Sequence, residues 1–136
     1  MLAFALIASA CGGGSGSSAQ PSCEKAPEGI GPDAKATLQD ADSGRTVCLK
    51  QGDVITVFLH APVDEERWGP ITTLDRGVLT VRSSGVMTLP LGVTAGVFLG
   101  AHQGTSRLTS TRAPCSPPKS AGCDAKHQWS ARVVVR

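Results

Sequence analysis

No run of roughly 18 apolar residues occurs anywhere in the sequence, so no segment reads as a membrane-spanning helix. Aromatics are scarce, with three phenylalanines, two tryptophans and no tyrosine among 136 residues, which limits the core to a small one. An excess of either charge is missing too. Thirteen basic residues face eleven acidic ones, leaving no electrostatic footprint for nucleic acid. No Cys-x-x-Cys pair is present, and His60, His102 and His127 follow no ligand spacing, so a zinc site is not expected. No Gly-x-Ser-x-Gly element is found, and Ser83 and Ser84 have no histidine near them in sequence. The sequence therefore names no catalytic group, no metal and no cofactor. An enzyme is not the expected reading.

What is abundant is glycine and proline, sixteen and nine residues, which implies many turns in one domain. The opening is the most informative stretch. Residues 2–10, "LAFALIASA", form an apolar run too short for a membrane span and ending in small residues, the shape of a signal-peptide core. No Lys or Arg precedes it, which suggests a start further upstream. Residues 12–22, "GGGSGSSAQPS", cannot pack and read as a flexible tether reaching about 15–20 Å.

Ile7, Ala8, Ser9 and Ala10 ahead of Cys11 resemble the lipobox of bacterial lipoproteins, of the type found in high-GC Gram-positive bacteria. Position −3 carries Ala8 where leucine is preferred. The resemblance implies cleavage before Cys11 and a lipid on its sulfur. The protein would then sit on the outer face of the cell membrane, held by its lipid anchor. Two acyl chains anchor stably where one does not.

Setting Cys11 aside leaves Cys23, Cys48, Cys115 and Cys123, an even number that in an exported chain favours disulfides. Four cysteines allow three pairings. Locality favours Cys115 with Cys123 across "CSPPKSAGC", which leaves Cys23 with Cys48.

From residue 36 the pattern is strand-like. "ATLQ", "DADSG" and "RTVCL" read as a hairpin with an Asp- and Gly-rich turn. In "VITVFL", Ile55, Val57 and Leu59 share one face and Val54, Thr56 and Phe58 the other. "VDEERWGP" is a loop, and "GVLTVRSSGVMTLPLG" holds two short strands around "SSG". "AGVFLGAHQG" sets Val97, Leu99 and Ala101 on one face, and Leu108 is the main inward residue of "TSRLTSTR". "WSARVVVR" alternates, with Trp129, Ala131, Val133 and Val135 inward and with partners expected on both sides of it. Trp129 and Phe98 are the expected large core residues. The expectation is all-β: residues 1–10 a signal, 11–35 a lipidated cysteine and tether, and 36–136 an antiparallel immunoglobulin-like β-sandwich of about seven to eight strands.

A second resemblance rests on "GDVITVFL", then "GVFLGAHQGTSRLTSTRAP", then the terminal "WSARVVVR". Their order is similar to that of chagasin-type inhibitors of cysteine proteases. Gly52 and Asp53 match the family's opening strand, Gly104 its turn, and Arg112, Ala113 and Pro114 stand where an Arg-Pro-aromatic loop is expected. Cys115 replaces the aromatic, and "HAPVDEERWGP" replaces the family's Asn-Pro-Thr-Thr-Gly loop. The resemblance implies loops that wedge into a protease cleft.

Among single features, "DADSG" reads as a turn rather than a calcium loop, and Asp64, Glu65 and Glu66 as a solvated patch. Trp68, in a polar loop, either caps the sandwich or waits for a partner. Trp68, Arg112 and Pro114 are thus the loop candidates for binding. The leading expectation is a lipid-anchored extracytoplasmic module that binds an unidentified envelope protein or ligand through its loops, with a chagasin-like inhibitor as the alternative.

Overall fold

The computed structural model describes residues 22–31, 33–62, 65–83, 92–113 and 124–136. Cys11, Pro114, Cys115 and Cys123 fall outside them, so the lipidation site, one loop candidate and one disulfide do too. The described strands are β1 (Glu24–Lys25), β2 (Ala36–Leu38), β3 (Thr46–Leu49), β4 (Val54–His60), β5 (Thr72–Thr73), β6 (Leu79–Ser83), β7 (Val93–Gly100), β8 (Gly104–Thr111) and β9 (Gln128–Val135). Short 3-10 turns occupy Asp40–Asp42 and Ala125–His127. The strands form a five-stranded sheet in the order β1-β3-β9-β8-β5 and a four-stranded sheet in the order β2-β4-β7-β6. This is the expected immunoglobulin-like β-sandwich. It has nine described strands, where seven to eight were expected, because β1 and β5 are pairs too short to show a period.

The sheets are mixed, where antiparallel ones were expected. β1 runs parallel to β3, β3 to β9, and β2 to β4. Direction reverses at each connection, and successive strands β1 to β4 alternate between sheets, so strands returning to the same sheet run the same way. The hairpin expected over residues 36–49 is absent for that reason: β2 joins β4, and β3 joins β9. The "DADSG" segment crosses between the sheets instead. The Gln39 N–H donates to the Asp42 carboxylate at 2.7 Å, and the Trp129 indole N–H donates to the Gln39 carbonyl at 3.1 Å. Where β2 stops, the Asp40 carboxylate takes over as a partner of β4, accepting the His60 N–H at 2.9 Å. A side chain thus replaces a ladder bond.

Side chains alternate as the patterns require. Ile55, Val57 and Leu59 of β4 are fully buried against Val133 and Val135 of β9, Leu108 of β8 and Leu38 of β2 in one cluster. Trp129 and Phe98 are 2% and 1% exposed, as expected for the largest core groups. Burial of each large apolar side chain contributes roughly 1.5–3 kcal/mol. On β7 the inward face is that of Gly96, Phe98 and Gly100, while Val97 and Leu99 are half-buried. Small residues flank Phe98 because a Cβ on Gly96 would stand 2.8 Å from the Phe98 ring. β9 lies between β3 and β8, with a partner on each side.

Cys23 and Cys48 form a disulfide. It joins the residue before β1 to the third residue of β3.

Candidate functional site

Strand direction sorts the connections onto two ends. β4 ends at His60 opposite Val93, where β7 begins, and β8 ends at Thr111 opposite Gln128, where β9 begins. Connections 61–71, 84–92 and 112–127 therefore leave from or enter strands at the same end. The opposite end carries the short turns 50–53, 74–78 and 101–103.

The bases of the long connections are sewn together. The Ala61 N–H donates to the Gly92 carbonyl at 2.9 Å, and the Gly69 N–H donates to the Thr111 carbonyl at 2.8 Å. The Thr94 hydroxyl donates to the Trp68 carbonyl and the Ser110 hydroxyl to the Gly69 carbonyl, both at 2.8 Å. Residues 68 and 69 thus bond to β7 of one sheet and β8 of the other, closing the sandwich at this end. Trp68 is buried, and its indole N–H reaches the His60 carbonyl at 3.3 Å.

Arg112 completes the brace. Its guanidinium lies 5.3 Å from the centroid of the Trp68 ring, a cation–π stack. Nη1 donates to the Glu65 carboxylate, Nη2 donates to the Lys126 carbonyl at 3.2 Å, and the backbone N–H donates to the His127 carbonyl at 3.0 Å. A planar cation with several donors suits this, because one group can tie segments from three directions. Its side chain is 8% exposed and that of Glu65 is 48% exposed. Nε is buried with no partner among the described residues.

The last connection returns to β9 through the 3-10 turn at Ala125–His127. The Asp124 carboxylate accepts the Lys126 N–H at 3.2 Å and lies 2.8 Å from His127 Nδ1. Partial desolvation pushes the Asp124 carboxyl up, but the His127 hydrogen bond and charge, with Lys126, outweigh it and hold the pKa below the usual range.

Sequence had singled out Trp68 and Arg112 separately. The structure brings them into contact, facing inward as a brace. Pro114, the third loop candidate, lies outside the described residues. Glu65 read as solvated patch, yet it is the brace's counter-ion; no spacing rule links positions 47 apart in sequence. Among the described residues no group of three or more His, Cys, Asp or Glu is arranged to hold a metal. No described helix is long and apolar enough to cross a membrane.

Two packed sheets, in the orders β1-β3-β9-β8-β5 and β2-β4-β7-β6, define the class of fold: an immunoglobulin-like β-sandwich. The chain is similar in fold to the cysteine protease inhibitor EhICP2 from Entamoeba histolytica, with a TM-score of 0.55 at 16% identity over 74% of this chain and 93% of that one. Amebosin gives a TM-score of 0.45 at 15% identity, over 78% of this chain and 100% of that one. PbICP-C, solved in complex with falcipain-2, gives 0.43 at 12% identity over 82% and 98%. No protein-family model matches the sequence, and no curated protein does.

Proposed function

We propose that this chain is a non-catalytic binding module that presents connections 61–71, 84–92 and 112–127 to a cysteine protease. The observation that carries this reading is the brace. Arg112, Trp68 and Glu65 fix the bases of two of the connections, and the Ala61–Gly92 and Thr94–Trp68 bonds add the third. Fixing the bases of several connections before contact lowers the ordering entropy that binding costs, as a wedge into a cleft requires. The fold likeness to a cysteine protease inhibitor supports the same reading. Cys115 in place of an aromatic and "HAPVDEERWGP" in place of Asn-Pro-Thr-Thr-Gly predict different contacts within the cleft.

The test is titration of the full chain against a papain-type protease. Half-inhibition at or below about 10 µM, competitive with substrate, is the expected result. Full protease activity at tenfold higher concentration overturns the reading.

We also propose that Cys11 carries a lipid and holds the module on the outer face of the membrane. The support is the small-residue motif before Cys11 and the tether after it. With a complete upstream signal present, Cys11→Ser releases the protein from the membrane fraction. Mass spectrometry finds an acylated Cys11 at the mature N-terminus. A freely secreted protein with an unmodified Cys11 overturns it.

A further inference from the structure

The outer face of the five-stranded sheet carries an arrangement that the loop end does not explain. Arg107 of β8 stands directly opposite Arg132 of β9, which in turn is in register with Thr46 of β3. The backbone hydrogen bonds define how close the two arginines are. The Arg132 N–H donates away from β8, to the Arg45 carbonyl at 2.9 Å, and the Arg107 carbonyl accepts from the Leu74 N–H, also at 2.9 Å, away from β9. In an extended strand a residue's N–H and C=O point the same way, so Arg107 and Arg132 exchange no bonds with each other. They form a non-hydrogen-bonded pair, the class whose Cα atoms lie about 4.5 Å apart and whose side chains are closest.

Like charges in that position repel. Both side chains are exposed, and neither has a carboxylate partner among the described residues. Arg45, which lines the same hollow, is paired with Glu24 at 2.7 Å and Asp42 at 2.5 Å. Both of those carboxylates are directed to Arg45, and neither forms an ion pair with Arg107 or Arg132. The pair lines a hollow of about 300 Å³ with Arg45, Thr46 and Ser130. Two guanidinium groups side by side, with hydroxyls around them and no carboxylate among the lining residues, present many donors.

We propose that this hollow binds a tetrahedral oxyanion, the dianion of a phosphate monoester, between Arg107 and Arg132. A dianion converts the repulsion into two charge-assisted pairs, and the guanidinium fork matches phosphate geometry. Thr46 and Ser130 supply hydroxyl donors at the rim. The site lies on a sheet face, separate from the three long connections, so it does not depend on protease binding.

The test uses the full chain with inorganic phosphate, followed by arginine Nε–Hε resonances and thermal unfolding. Phosphate shifts the Arg107 and Arg132 signals saturably and raises the melting temperature. Arg107→Gln and Arg132→Gln each weaken binding at least tenfold, and both variants melt no lower than wild type without phosphate because the repulsion is gone. Glycerol phosphate and vesicles containing phosphatidic acid then separate a soluble ester from a lipid headgroup as the source: whichever shifts the same two signals identifies it. Two results overturn the site. One is sodium chloride at matched ionic strength reproducing the whole phosphate effect, which would mean screening only. The other is equal phosphate stabilisation of wild type and the Arg107→Gln/Arg132→Gln double variant.

Discussion

The two ends of the sandwich solve the same problem with different chemistry. At the turn end backbone geometry leads, with short-range help from the Gln51, Asp75 and Ser106 side chains. Gly52 and Gly104 take left-handed φ values of 92° and 146°, the chain reverses within a few residues, and the Gly52 N–H donates to the Gly100 carbonyl at 2.8 Å. At the loop end side chains reinforce the backbone bonds between connections, through the Trp68 indole, the Arg112 guanidinium, the hydroxyls of Thr94 and Ser110, and the Asp40 carboxylate. Backbone turns leave little to vary. Side-chain joints leave the connecting segments free to differ in sequence while their bases stay fixed, which suits the binding role proposed for this end.

Trp68→Ala is the largest expected break in this contrast. It removes a buried aromatic and the surface on which Arg112 rests, so unfolding in denaturant shows a loss of about 3–5 kcal/mol. Arg112→Ala comes next, at about 2–3 kcal/mol, because hydrogen bonds to a charged group are lost and the Glu65 carboxylate is left alone. In both variants, hydrogen exchange rises at the loop end and the amides of residues 100–104 keep their protection. The turn end breaks differently. In Gly104→Ala the new Cβ sits 2.8 Å from Val78 Cγ2 on a backbone that L-residues avoid. A loss of about 1–2 kcal/mol follows, with loop-end exchange unchanged relative to global stability.

The smallest effect sharpens the comparison by pH. Hydrogen bonding to Arg45 holds the Glu24 carboxyl below the usual carboxylate range. A depressed folded pKa stabilises above the unfolded value, and that contribution is lost as pH falls through the folded one. Glu24→Gln therefore differs from wild type at neutral pH, and the two converge in acid. Paired unfolding curves from neutral pH down to about pH 2 read this.

Much of the sandwich was legible because β4 sets Ile55, Val57 and Leu59 on one face and β9 sets Trp129, Ala131, Val133 and Val135 on one face, and a period of two can only be satisfied one way round once Val57 or Val133 is buried. The "DADSG" turn was legible as a turn but not as a crossing. Turn chemistry records that the chain bends, and the Trp129–Gln39 bond, 90 positions long, decides which sheet it enters. The brace was half legible: Trp68 and Arg112 each stood out, yet nothing in sequence says that an arginine beside a proline-rich loop will be buried under a tryptophan. Glu65, within a run of acids, gave no signal at all. Likewise the Arg107–Arg132 pair depends on the register of β8 against β9 and on which sides their backbone groups face.

The Cys23–Cys48 bond has a mechanical meaning. A pull on the chain ahead of Ser22 meets the disulfide before it meets β1, so the two-residue edge strand carries no load and cannot be peeled away. Tension passes instead into β3, an interior strand bonded along its length to the parallel β9, which is the centre of the five-stranded sheet. Four registered residue pairs then share the strain in shear rather than yielding in turn. With the anchor proposed at Cys11, load would enter the domain through an interior strand and not through its edge.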